Sequence, residues 1–125
     1  MAPEVVAVLA KDAVGRYGED VAARHVQGLG WTVLDRNWRC SDGEIDLVAL
    51  DGAELVVLEV KTRRSDRFGH PSLAVTPVKL ARLRRLTARW LACHDVHPAA
   101  LRIDVVAIVV PGQGAPVVEH FAGVV

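Results

Sequence analysis

Aromatic side chains are scarce in this 125-residue chain, which has three Trp, one Tyr and two Phe. Its core must therefore be filled by Leu, Val and Ala. A hydrophobic fraction of 51% supplies enough of them for a single domain over residues 1–125. Cysteine is scarcer still. Cys40 and Cys93 have neither zinc-site spacing nor the numbers of a disulfide framework, which points to two reduced thiols in a cytoplasmic protein. Of the five histidines, the nearest to a zinc motif are His94 and His97 beside Cys93, and that group lacks further ligands. No apolar run is long enough to cross a membrane. Val5–Ala10 is too short for a signal-peptide core and has no basic leader. Residues 1–10 are accordingly expected to form an N-terminal extension outside the core.

Net charge is also absent, yet the charges are unevenly spread. From Lys61 to Arg89 there are nine basic residues against Asp66 alone, and the rest of the chain holds six basic against fourteen acidic residues. Such a partition gives the surface one basic face suited to a polyanion. The competing explanation is a solvated arginine-rich helix. The basic run, however, begins where a cluster of carboxylates ends.

That cluster is the most informative feature. Asp46 lies in Gly43-Glu44-Ile45-Asp46, and Glu59-Val60-Lys61 closes a buried-looking strand thirteen positions on. Between them run Leu47–Leu50, a turn at Asp51-Gly52, and Leu55–Leu58. Asp-Gly is a strong hairpin signal. A two-residue loop would pair Leu50 with Ala53 and Asp46 with Val57. A four-residue loop would pair Leu50 with Leu55 and Asp46 with Glu59. Strand side chains alternate between faces, so both registers put Asp46, Glu59 and Lys61 on one face. A three-residue loop would separate Asp46 from the other two. Glu59 and Lys61 stand roughly 6.6 Å apart along the strand. Clustered like charges cost stability unless a cation joins them. Two carboxylates and a lysine can hold a divalent ion on a phosphodiester and activate water. A solvent-facing strand end and a turn aspartate are the bland alternative.

Along the chain, Asp12 is expected to cap a first helix reaching about Gln27, with Val14, Tyr17, Val21, Ala22 and Val26 as its apolar stripe and Glu19 on or beside it. Trp31–Arg39 reads as a strand, followed by the hairpin Ile45–Leu50 and Glu54–Thr62 and a mobile loop over Arg63–Pro71. Thr76-Pro77 reads as a cap and first turn for a second helix reaching about Cys93. Its buried side is Leu80, Leu83, Thr87, Trp90 and Leu91, with Lys79, Arg82, Arg85 and Arg89 toward the other side. Leu101–Val110 and Val117–Phe121 read as strands. Asp104, inside the first of these, is expected to pair with an arginine or a neighbouring amide. Trp31, Trp38 and Trp90 are expected in the core. The order α-β-β-β-α-β-β implies an α/β fold with a mixed central β-sheet flanked by helices.

With Asp46 and Glu59-x-Lys61, this order resembles the core of the restriction-endonuclease-like PD-(D/E)xK nuclease superfamily. A wider set of residues is more specific: Gly18-Glu19, Gly30-Trp31, Arg36-Asn37-Trp38-Arg39, Gly43-Glu44-Ile45-Asp46, Glu59-Val60-Lys61-Thr62-Arg63, Phe68-Gly69 and Lys79. Together they resemble the YraN-like uncharacterised family (UPF0102), related to archaeal-type Holliday junction resolvases, over about residues 11 to 110. The resemblance implies that Asp46 and Glu59 ligate Mg²⁺ or Mn²⁺ with help from the Val60 carbonyl. It further implies that Lys61 orients or activates the attacking water, that Glu19 is an auxiliary ligand, and that Glu44 stands behind these groups. Ile45 replaces the proline of the superfamily signature.

Arg63, Arg64 and Arg67 flank the site and are assigned to backbone phosphates, which position a duplex without reading its sequence. Lys79 and Arg82 extend that surface along the second helix. The expected function is a Mg²⁺- or Mn²⁺-dependent endonuclease acting on structured or branched DNA. The alternative is a catalytically idle nucleic-acid-binding module working through partners. Junctions have near two-fold symmetry, so a resolvase would be a homodimer, with Val117–Val125 as its candidate interface.

Overall fold

The computed structural model describes the backbone of residues 3–65 and 75–124 and the side chains of residues 13–65 and 75–124. Seven elements follow in the expected order: α1 Pro3–Gly28, β1 Thr32–Cys40, β2 Gly43–Asp51, β3 Glu54–Arg64, α2 Pro77–Cys93, β4 Ala100–Val110 and β5 Val117–Phe121. The strands form one sheet in the order β1-β2-β3-β4-β5. The β3–β4 pair, joined through α2, is parallel, and the other pairs are antiparallel. A parallel pair needs such a crossover, whereas β2 and β3 need only a tight turn. The fold is thus α/β with a mixed sheet between two helices.

Each helix covers one face of the sheet. Val21, Ala22, Ala23 and Val26 of α1 pack on Leu47, Ala49, Val56, Leu58, Val106 and Ile108. Leu83, Leu86 and Trp90 of α2 pack on Ile45, Val48, Leu55 and Val57. Alternation along β3 sends Val56 and Leu58 to α1 and Leu55 and Val57 to α2, as a strand buried on both sides requires. Trp90 is fully buried, while Trp31 and Trp38 are partly buried against the two clusters.

The α2 start is as expected. Thr76 is extended, its hydroxyl accepts from the Lys79 N–H at 3.1 Å, and Pro77 opens the helix. The α1 start is not. The helix begins at Pro3 and its backbone runs through Asp12, so Asp12 is not the cap. Asp12 is a good capping residue type, but nothing before it breaks the helix. Residues 3–10 share this helical backbone. Tyr17, placed in the α1 stripe, is 38% exposed, and Gly18 takes the buried position beside it. The loop expected from Arg63 starts later, because β3 continues to Arg64. Most of that loop, with Arg67, Phe68 and Gly69, lies outside the described residues.

A polar network crosses the α1 side of the sheet. Asp104 is fully buried and accepts from Arg102 Nε at 2.8 Å and Nη2 at 3.0 Å. It also accepts from the Gly123 N–H at 2.9 Å and meets His120 Nε2 at 2.7 Å. His25 Nε2 lies 3.0 Å from His120 Nδ1, and Arg102 sits 5.1 Å above the Trp31 ring. The expectation of an arginine and an amide for Asp104 holds. The network also ties α1, β4 and the chain after β5 together.

Candidate active-site cleft

The hairpin adopts the register that pairs Leu50 with Leu55, closed by Asp51 and Glu54 around Gly52 at φ +61°. The alternative with Leu50 opposite Ala53, which would have set Glu44 opposite Glu59, is ruled out. The regular ladder ends at Leu47 and Leu58. One step further along the two strands come Asp46 and Glu59, with Glu59 close enough to act electrostatically on the Asp46 carboxyl.

At Asp46 the strand changes character. Leu47 packs on the α1 side, yet Ile45, two residues away, packs on the α2 side. A regular strand would put both on one face. The carboxylate of Asp46 takes over a backbone role here, with Oδ2 accepting from the Val60 N–H at 2.8 Å. The side chain thus bridges β2 to β3 where the backbone ladder stops. This places the carboxylate at the edge of the core.

Its protonation reflects that position. Burial, then the neighbouring Glu59, push the Asp46 carboxyl up to about 7 from its ordinary 3.8. The Val60 hydrogen bond opposes the rise, and Glu19 and Glu44 add to it. The structure therefore brings Glu59, Glu19 and Glu44 within electrostatic range of Asp46. Glu19 is held there by a close helix–strand approach. A Cβ on Gly18 would fall 1.8 Å from Thr62 Oγ1, so only glycine lets α1 sit this near β3.

An open cleft of about 520 Å³ runs beside these carboxylates, lined by Arg39, Glu44, Asp46, Glu59, Lys79 and Arg82 among others. Acidic and basic side chains share its lining. Lys61 lies on the same face of β3 as Glu59 but is not among the lining residues. The cation that meets Glu59 is instead Lys79, with Nζ at 2.6 Å from Oε1. Arg82 is exposed on the cleft wall, Arg64 is exposed at the end of β3, and Arg63 is partly buried. Arg67 lies outside the described residues. Arg39 was not singled out as a site residue. It pairs with Glu44 at 3.2 Å, and only its place beside Trp38 in the Arg36–Arg39 motif hinted at a role.

Among the described residues, no three His, Cys, Asp or Glu side chains form a ready-made metal cage. The donor set suits a different kind of ion. Mg²⁺ dehydrates reluctantly, keeps several waters, and is commonly held by one or two carboxylates plus substrate phosphate. Asp46 and Glu59 provide two such carboxylates, and their mutual repulsion would be relieved by a cation between them.

No helix of the described chain is long and apolar enough to cross a membrane. The sequence pattern of uncharacterised protein family UPF0102 matches residues 18–108. The chain is 62% identical over 115 residues to a UPF0102 protein of Beutenbergia cavernae, covering 92% of this chain and 98% of that one. It is also 62% identical over 121 residues to one from Kineococcus radiotolerans, covering 96% and 99%. A third, from Streptomyces griseus, is 57% identical over 116 residues, covering 92% and 98%.

Proposed function

We propose for this chain, which belongs to the uncharacterised protein family UPF0102, a metal-dependent endonuclease activity on structured or branched DNA. The observation that carries it is the nearness of Asp46 and Glu59 in one cleft, which Arg39, Lys79 and Arg82 also line. A restriction-endonuclease-like core is the fold-level counterpart of this proposal.

Asp46 and Glu59 would hold Mg²⁺ or Mn²⁺, with Glu19 behind them. A bound divalent ion supplies Lewis acidity toward a phosphoryl oxygen and lowers the pKa of water. The protein's own part is positional. The Val60 N–H fixes the Asp46 carboxylate, and Gly18 lets Glu19 come close. Lys61 projects from the same face of β3 as Glu59, where its ammonium would orient the attacking water and stabilise charge on the phosphate. Arg82, with Arg63, Arg64 and Arg67, would hold flanking phosphates. Cleavage in two strands of a junction would call for a homodimer.

A second proposal, an idle nucleic-acid-binding module, is favoured by one observation: Glu59 is already ion-paired with Lys79. Cleavage of four-way junction, flap, single-stranded and linear duplex DNA with Mg²⁺ or Mn²⁺ separates the two. Metal-dependent cutting that disappears in Asp46→Ala and Lys61→Ala is expected. Binding without cutting, unaltered by Asp46→Ala, would overturn the nuclease and leave the module.

A further inference from the structure

The Lys79–Glu59 ion pair has features that a simple surface tie does not need. Glu59 is largely enclosed, its side chain only 14% exposed, and Lys79 Nζ reaches it at 2.6 Å. Lys79 sits in the first turn of α2, where it is fixed by the Thr76 cap and no acidic residue accompanies it. Helix N-termini favour anions and disfavour cations. A lysine there works against the helix dipole, and what compensates it is Glu59. The helix places this ammonium at the oxygen that a divalent ion would take. The same cleft offers no second basic residue bonded to Glu59 or Asp46 among the described residues.

We propose that Lys79 is a resident cation of the site. Its ammonium stands in for the divalent ion on Glu59, and the ion must displace it to bind. This rests on the metal-dependent function proposed above. The competition follows from geometry. One carboxylate oxygen cannot hold a tight ammonium contact and an inner coordination bond in the same direction. The apparent affinity for the ion is therefore reduced by the fraction of molecules in which Lys79 is closed on Glu59. The lysine stem is flexible and Lys79 is 38% exposed, so the displaced ammonium has room to turn into the cleft. There it faces the volume between Arg39 and Arg82, where a substrate phosphate would lie. Metal loading would then release a phosphate-binding cation, coupling the two events. Lys79 is a positioning residue in this scheme, acting on the metal site through Glu59.

The test is calorimetric titration of the DNA-free protein with Mn²⁺ for wild type, Lys79→Gln and Lys79→Arg, each checked for folding by circular dichroism. Lys79→Gln removes the competitor and is expected to tighten Mn²⁺ binding about ten-fold, as for a closed pair populated about nine times in ten. Lys79→Arg grips the carboxylate in a fork and is expected to leave binding equal or weaker. Mn²⁺ binding to wild type that is unchanged or weakened by Lys79→Gln would reduce the pair to a structural tie between α2 and β3. The proposed function would then stand without this inference. Absence of Mn²⁺ binding in all three DNA-free proteins would overturn this inference, and the cleavage assay, in which substrate phosphate completes the site, would decide the proposed function separately. If Lys79→Gln does not fold, weaker binding by Lys79→Arg than by wild type supports the competition, and tighter binding overturns it.

Discussion

The Val60 N–H donates to Asp46 Oδ2 at 2.8 Å, so a side chain takes up the backbone bond where the β2–β3 ladder ends. The carboxylate is both a structural bridge and, by burial and the nearness of Glu59, a group whose pKa rises to about 7. A native pKa above the unfolded value means that the folded state binds the extra proton between the two values. Stability from this group is therefore full below about pH 4, declines as pH rises to about 7, and stays reduced above that. Asp46→Asn keeps an acceptor for Val60 and carries no charge. In chelator, its stability relative to wild type is expected to be near parity at pH 4 and to grow to as much as ~4 kcal/mol by pH 8. Urea unfolding across this range checks it. A difference that is flat with pH would remove the buried-charge account of Asp46.

Gly18 and Thr62 control how near α1 lies to β3. Gly18→Ala would put a methyl 1.8 Å from Thr62 Oγ1 and 2.6 Å from its Cγ2. Overpacking of this kind costs about 1–3 kcal/mol. The helix must retreat or Thr62 must turn, and either shifts Glu19 away from Asp46. Thr62→Ala in the same chain removes Oγ1 and Cγ2 and is expected to recover part of the loss. A double-mutant cycle by chemical denaturation measures the coupling. Additive losses would show that Gly18 is buried for another reason.

Much of this site was legible in the sequence because hairpins are local. Asp51-Gly52 favoured an even-length loop over the three-residue one, and both even registers put Asp46 and Glu59 on one face. The Thr76-Pro77 cap and the strand at Leu101–Val110 were legible for the same reason, since each depends on neighbours in sequence. What was not legible depends on distant contacts. The switch of Ile45 to the α2 face follows from a side chain bonding across strands. Lys79 meets Glu59 only because the crossover lays α2 on that face of the sheet. Gly18 stood out in the sequence only within the Gly18-Glu19 motif, whereas its structural meaning lies in Thr62, forty-four positions away. Asp12 misled because a good capping residue inside a helix looks the same in sequence as one at its start.

Asp104 predicts acid sensitivity remote from the cleft. Hydrogen bonds from Arg102, Gly123 and His120 hold its carboxyl below the ordinary range despite burial, and burial with His120 lowers His25. A depressed His25 favours the neutral ring, so that contribution is lost as pH falls below about 6.5. The Asp104 contribution is present above its unfolded value and is lost as pH falls below about 4. Asp104→Ala would take from Arg102 its buried partner while leaving it Glu54, whose Oε1 lies 2.6 Å from Nη1, and is expected to cost about 1–3 kcal/mol at pH 7. The deficit should begin to shrink as pH falls below about 4, where the unfolded chain takes up the proton that folded Asp104 resists. Thermal unfolding from pH 3 to 8 tests both statements. A deficit independent of pH would mean that packing, not charge, makes Asp104 matter.

Arg82 and Arg89 separate the phosphate surface from the merely basic one. Both are exposed on α2, but Arg82 lines the cleft, while Arg89 Nη1 is engaged by Asp42 and Ser41, each at 2.9 Å. If DNA lies along the cleft, Arg82 releases a counterion from a phosphate and Arg89 does not. The logarithm of the binding constant falls linearly with the logarithm of salt, with a slope of about −0.9 per neutralised phosphate on duplex. Arg82→Ala is expected to make that slope shallower by about 1, weakening binding similarly on all sequences. Arg89→Ala should leave the slope close to wild type. Fluorescence anisotropy of junction and linear duplex from low to moderate salt reads both. Equal changes for the two variants would spread DNA over the whole arginine face of α2. A steep slope lost only in Arg89→Ala would move the contact surface off the cleft, away from Asp46 and Glu59.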